Sequence, residues 1–206
     1  MSIQSIMAIG PVIPVVIIEN IDDAIPLADA LIEGGIGTIE ITLRSAVALN
    51  AIALISQERP DLTIGAGTVL NPLQMREVQE AGADFVVSPG VYPELLKSAK
   101  DSGVVFLPGA TTASEMMFLM ANGITAMKFF PATLAGGPGY LEALASPLVD
   151  AKFCPTGGIT AETAIDWLSL SNVQCVGGTW VAPKDMLAKG DFDGITANAA
   201  ACSTLI

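Results

Sequence analysis

Lys128 sits in Ala126-Met-Lys-Phe-Phe-Pro131 and is the only charged residue between Glu115 and Glu142. An amine in so apolar a setting is favoured in its neutral form, which is the nucleophile. Side chains alternate faces along a strand, so Ile124, Ala126, Lys128 and Phe130 share one face and Thr125, Met127 and Phe129 the other. The same parity divides a second segment. Ile39, Ile41 and Leu43 form an apolar set that suits packing on helices, which turns Thr38, Glu40, Thr42 and Arg44 inward. A buried glutamate and arginine are costly unless paired or used. The chain has no histidine, so catalysis falls to Lys, Glu, Asp, Tyr, Cys or backbone groups.

Two plainer readings stay open at this point: a buried Glu40–Arg44 ion pair, and a Lys128 that extends its stem to solvent at a strand end. The other five lysines have weaker positions. Lys97 and Lys100 neighbour Glu94 and Asp101, as on a solvated helix face, and Lys184 and Lys189 follow Pro183 in polar context. Lys152 falls at the beginning of a strand, the end remote from chemistry in a barrel. Arg59 and Arg76 belong to charged helical surroundings.

Glycine pairs offer a different kind of chemistry. Gly157-Gly158 precedes a helix expected over Ala161–Leu170 with Thr160 as its cap, and Gly177-Gly178-Thr179 ends the last strand. Backbone N–H groups in such loops cradle phosphate, with hydroxyls from Thr156 and Thr179 beside them.

These residues need a scaffold, and the chain supplies a repeating one. Strands are expected at Val12–Ile18, Ile36–Leu43, Leu62–Ala66, Asp84–Val87, Val104–Leu107, Ile124–Phe129, Ala151–Pro155 and Val173–Val176. Between them, Asn71-Pro72 reads as a helix start and Thr112 to Glu115 as a capping box. Gly34-Gly35, Gly82, Gly103 and Gly123 read as left-handed helix stops feeding the next strand. Eight such units in 206 residues, roughly 26 apiece, predict a single (β/α)8 TIM barrel domain over residues 1–206. An open doubly wound sheet is the competitor. It would gather polar chemistry at one switch point, whereas here polar and glycine-rich segments follow nearly every strand.

Composition agrees with a sheet buried on both faces: 51% of residues are hydrophobic. A net charge of −12 argues against nucleic acid or an anionic membrane as partner. No apolar run reaches the roughly 18 residues of a membrane span, and no basic leader opens the chain, so a cytoplasmic location is expected. Cys154, Cys175 and Cys202 have neither disulfide-framework nor metal-site spacing.

At these residues the sequence resembles the 2-keto-3-deoxy-6-phosphogluconate / 2-keto-4-hydroxyglutarate aldolase family over nearly its whole length. The resemblance rests on Gly35-Ile-Gly-Thr-Ile-Glu-Ile-Thr-Leu-Arg44, Gly65-Ala-Gly-Thr-Val-Leu-Asn-Pro72, Ser88-Pro-Gly90, Gly123-Ile-Thr-Ala-Met-Lys-Phe-Phe-Pro-Ala132 and Phe153-Cys-Pro-Thr-Gly-Gly-Ile159. It implies a class I aldolase in which Lys128 forms a Schiff base with a 2-keto acid and Glu40 shuttles protons. Arg44 and Thr68, with backbone near Pro89, would hold the pyruvate carboxylate, and Phe130 would line the pocket. Thr156, Gly157, Gly158, Gly177, Gly178 and Thr179 would hold the distal phosphate.

The expected reaction is cleavage of 2-dehydro-3-deoxy-6-phosphogluconate to pyruvate and glyceraldehyde 3-phosphate, with no cofactor or metal, in a homotrimer. The alternatives are 4-hydroxy-2-oxoglutarate cleavage, the galactonate epimer, oxaloacetate decarboxylation, or a phosphate-binding barrel isomerase. Two departures bear on the substrate's far end. The family usually has serine where this chain has Thr179, and often a basic residue just after strand one, where this chain reads Ile18-Glu19-Asn20.

Overall fold

The computed structural model describes residues 1–205; Ile206, the last residue of the expected domain, lies outside them. Among the described residues, nine strands alternate with helices, save that the fifth strand leads directly into the sixth. Strands β1 (Val12–Val16), β2 (Thr38–Thr42), β3 (Thr63–Gly67), β4 (Phe85–Val87) and β5 (Val105–Leu107) form one parallel sheet, with β9 (Val176–Gly178) on the far side of β1. A second parallel sheet holds β6 (Gly109–Ala110), β7 (Ala126–Phe129) and β8 (Lys152–Pro155) in that order. Only Pro108, which lacks an amide hydrogen, separates β5 from β6. Isolated bridges pair Phe153 with Val173 and Thr156 with Gly177. The architecture is thus an α/β fold with a curled parallel sheet.

Burial follows strand parity. Ile39 and Ile41, Val86, Phe106, Met127 and Phe129, Phe153 and Val176 belong to the outer core beneath the helices. Their alternates Phe85, Val87, Leu107, Ala126, Cys154 and Cys175 meet Ile13 in a separate inner cluster. A short helix, α1 (Ile3–Met7), brings Ile6 and Met7 into that inner cluster, and both are fully buried. Ser2 caps it by accepting from the Ser5 amide.

The expected local signals appear where the chain needs them. Helix α2 (Pro72–Glu80) starts with Asn71 accepting from the Gln74 amide, and α3 (Ala113–Ala121) with the full Thr112–Glu115 capping box. Gly35, Gly82, Gly103 and Gly123 all take positive φ before a strand.

Three expectations are corrected. The last strand lies at Val176–Gly178, displaced from Val173–Val176, because Gly177 and Gly178 pair with Ile13 and Pro14 of β1. The helix after the Gly157-Gly158 pair is α4, Ala164–Leu168, not Ala161–Leu170. The Thr160 amide donates to the Thr163 hydroxyl at 3.0 Å, a local bond that holds a turn in place of the first helical residues. Strand β2 ends at Thr42, so the inward parity does not reach Arg44, which stands exposed at the mouth of the sheet.

Candidate active site

Strands β2 and β7 bring Glu40 and Lys128 together from 88 residues apart in the chain. Lys128 Nζ donates to both oxygens of Glu40, at 3.0 Å to Oε1 and 3.2 Å to Oε2. The two side chains are only 7% and 4% exposed. The pair is fixed by register. Lys128 lies opposite Gly109 and Cys154, whereas Glu40 lies between Val15 and Gly65. The ammonium also stands 5.6 Å from the centre of the Phe130 ring.

Small residues carve the space around these groups. A Cβ on Gly67 would come within 2.2 Å of Glu40 Oε1, so glycine is what admits the carboxylate. Two residues earlier on the same face of β3, Gly65 leaves room for the Phe85 ring, which a Cβ would meet at 2.3 Å. Both glycines fall within Gly65-Ala-Gly-Thr68, where the sequence alone gives Gly67 no role. Glycines at i and i+2 on one strand are the signal, since they hollow out one face.

Thr68, immediately after, has φ of 61°, a left-handed conformation rare for a β-branched residue. The strain turns the chain at the cavity wall. Arg44 is held by its own neighbour: its Nε donates to Thr42 Oγ1 at 3.1 Å, while that hydroxyl donates to the Val16 carbonyl at 3.0 Å. The Glu40–Arg44 pair does not form; the carboxylate belongs to Lys128. Pro89 is set by the buried Ser88, whose hydroxyl donates to the Gly90 carbonyl.

A cavity of about 320 Å³ opens above the pair. Eleven of the twelve residues singled out from sequence line it: Glu40, Arg44, Thr68, Pro89, Lys128, Phe130, Thr156, Gly157, Gly158, Gly177 and Thr179. The twelfth, Gly178, does not; it lies beneath Trp180, whose ring a Cβ would meet at 2.2 Å. Val15 and Ile159 complete the wall, two apolar residues that nothing in the sequence sets apart from the core. Gly157 and Gly158 have φ of 105° and 78°, a conformation that favours glycine. Three other lysines are held away from the cavity. Lys97 pairs with Asp101, Lys189 with Asp185, and Lys152 bonds the Ser171 carbonyl.

A buried amine against a buried carboxylate, at the floor of a cavity with a guanidinium at its mouth, suits nucleophilic addition to the carbonyl of a small acid. The family model for KDPG and KHG aldolase matches residues 3–198. This chain belongs to that family. The KHG/KDPG aldolase of Escherichia coli K12 is 46% identical over 195 residues, 95% of this chain and 92% of its own. The 2-dehydro-3-deoxy-phosphogluconate aldolase of Dickeya dadantii is 48% identical over 196 residues, with the same coverage. Among solved structures of the family, the KDPG aldolase of Legionella pneumophila superposes with a TM-score of 0.96 at 42% identity, covering 98% of each chain. That enzyme was captured with pyruvate as a covalent carbinolamine intermediate. The family thus contains a member in which an amine adds to a keto-acid carbonyl.

Proposed function

We propose that this aldolase cleaves 2-dehydro-3-deoxy-6-phosphogluconate to pyruvate and glyceraldehyde 3-phosphate through a Schiff base on Lys128. The observation that carries the reading is the Lys128–Glu40 pair at the cavity floor, 3.0 Å apart and shut away from solvent. The names of relatives above 45% identity support the substrate class.

The chemistry runs through the pair. A proton passes from the ammonium to Glu40, which frees the Nζ lone pair to attack C2 of the substrate. The carbinolamine formed loses its hydroxyl as water after protonation, which leaves a protonated imine. That cation is the electron sink. A base removes the C4 hydroxyl proton, the C3–C4 bond breaks, and its electron pair enters an enamine as the aldehyde departs. Glu40 returns a proton to C3, and water hydrolyses the imine to release pyruvate. Arg44, Thr68 and the backbone at Pro89 hold the keto-acid carboxylate, and Phe130 walls the reacting carbon. Thr156, Gly157, Gly158, Gly177 and Thr179 receive the far end, with Gly178 supporting them from below.

The reading includes an eight-unit barrel closed between β8 and β9 at the Thr156–Gly177 bridge, folded as one domain. It also includes a homotrimer working in the cytoplasm on a small keto acid, without a metal, nucleic acid or membrane partner. No helix among the described residues is long and apolar enough to cross a membrane.

Incubation with pyruvate and borohydride, followed by mass spectrometry of peptides, tests the central claim. A reduced adduct on the Lys128 peptide is expected; no adduct, or an adduct at Lys152, overturns it.

A further inference from the structure

A second cleft of about 320 Å³ adjoins the cavity and shares Val15, Arg44 and Thr179 with it. Its remaining wall is Ile17, Trp180, Ala182, Pro183 and Lys184. The charges are unusual for this chain. Its net charge is −12, with 9 Lys and Arg against 21 Asp and Glu, yet this cleft is lined by two cations, Arg44 and Lys184, and by no carboxylate. Water-filled space bounded by two cations and low-dielectric walls selects anions.

Lys184 stands between two environments. On one side it lines the cleft shared with the active site; on the other it lines a separate groove with Glu19 and Asp23. Its Nζ donates to Glu19 Oε1 at 2.8 Å, and the two side chains are 61% and 70% exposed. So exposed a pair contributes little, so exchanging it for a better anion costs little. The far end of the proposed substrate is such an anion, and Arg44 is already committed to the keto-acid end.

We propose that Lys184 is the cation that receives the distal phosphate, leaving Glu19 as substrate enters, and that it sets the preference for phosphorylated aldehydes. This rests on the aldolase reading above. A charge-assisted contact of this kind is worth roughly tenfold in affinity.

The test is the aldol direction, with pyruvate added to glyceraldehyde 3-phosphate and, separately, to glyceraldehyde. In Lys184→Ala the ratio of kcat/KM for the two aldehydes should fall about tenfold, chiefly through KM of the phosphorylated one. Lys184→Arg should retain most of the ratio, and Glu19→Gln should raise it a few-fold by freeing the lysine. A ratio unmoved in Lys184→Ala, or an equal loss for both aldehydes, overturns the assignment. Because the pair is exposed, folding is not at risk, and the Arg and Gln variants give the answer independently. If the unaltered chain forms no borohydride adduct with pyruvate, the aldolase reading falls and this one with it. An adduct with an unmoved ratio removes Lys184 alone.

Discussion

Gly67 lies directly against the Glu40 side chain: a Cβ there would stand 2.2 Å from Oε1, 2.7 Å from Cγ and 2.8 Å from Cδ. Because three atoms are crowded and not just the tip, Gly67→Ala must push the whole carboxyl group off its place beside Lys128. A misplacement of this size in a catalytic group costs roughly ten- to a hundredfold in rate. We expect kcat to fall by that much with the fold intact by circular dichroism. Steady-state kinetics checks it, and a kcat near the parent value would show that Glu40 tolerates displacement.

The Lys128–Glu40 pair also makes a prediction about stability. Replacing Lys128 with Met leaves a buried carboxylate without its cation, which destabilises by about 3–5 kcal/mol. Glu40→Gln added to Lys128→Met removes the uncompensated charge and should recover much of that loss. Urea unfolding of the two single variants and the double measures the coupling. By itself, Glu40→Gln should slow turnover roughly 10²- to 10⁴-fold while leaving borohydride trapping possible.

Thr42 holds Arg44 in place through its hydroxyl, 3.1 Å from Nε. Thr42→Val keeps the shape and removes the acceptor. The guanidinium then loses about one hydrogen bond's worth of orientation, and KM for pyruvate in the aldol direction should rise about fivefold. Unchanged KM would mean that Arg44 is positioned by substrate alone.

Away from the site, acid sensitivity should appear at helix α3. Partial burial raises the Glu115 carboxyl, but backbone N–H donors of Thr112 and Thr111 and the Thr112 hydroxyl outweigh this and hold it below the ordinary value. A folded-state value below the unfolded one means the contribution is full above the ordinary carboxylate range. It is lost as pH falls through the lowered folded value. Thr112→Ala should cost about 0.5–2 kcal/mol near neutral pH. Chemical unfolding at pH 7 and pH 3 should show the gap between parent and variant narrowing in acid.

Much of this site was legible because its two central residues obey a local rule. Glu40 and Lys128 each sit among apolar neighbours on strands, and alternation alone turns them inward. Arg44 marks where that rule ends, since β2 stops at Thr42 and the backbone turns before the arginine. Gly67 was opaque for a different reason. Its function is an absence of atoms, and only the neighbouring strand reveals which group fills the gap. Gly177 and Gly178 misled in the same way. Glycine lowers strand propensity, yet here it pairs with β1 and makes room for Thr156, whose Oγ1 would lie 2.2 Å from a Cβ on Gly177. Helix α1 spans five residues, too few for a hydrophobic period to register.

That short helix has a consequence for traffic. Ile6 and Met7 cluster with Ile13, Phe85 and Ala126 near the starts of the strands, the end opposite the Lys128 amine. Side chains of this helix therefore fill that end of the inner cluster. The cavity lined by Lys128 lies at the other end, so small molecules approach the amine from the side of the strand C-termini. On the proposed mechanism, the aldehyde leaves and hydrolytic water arrives from that same side.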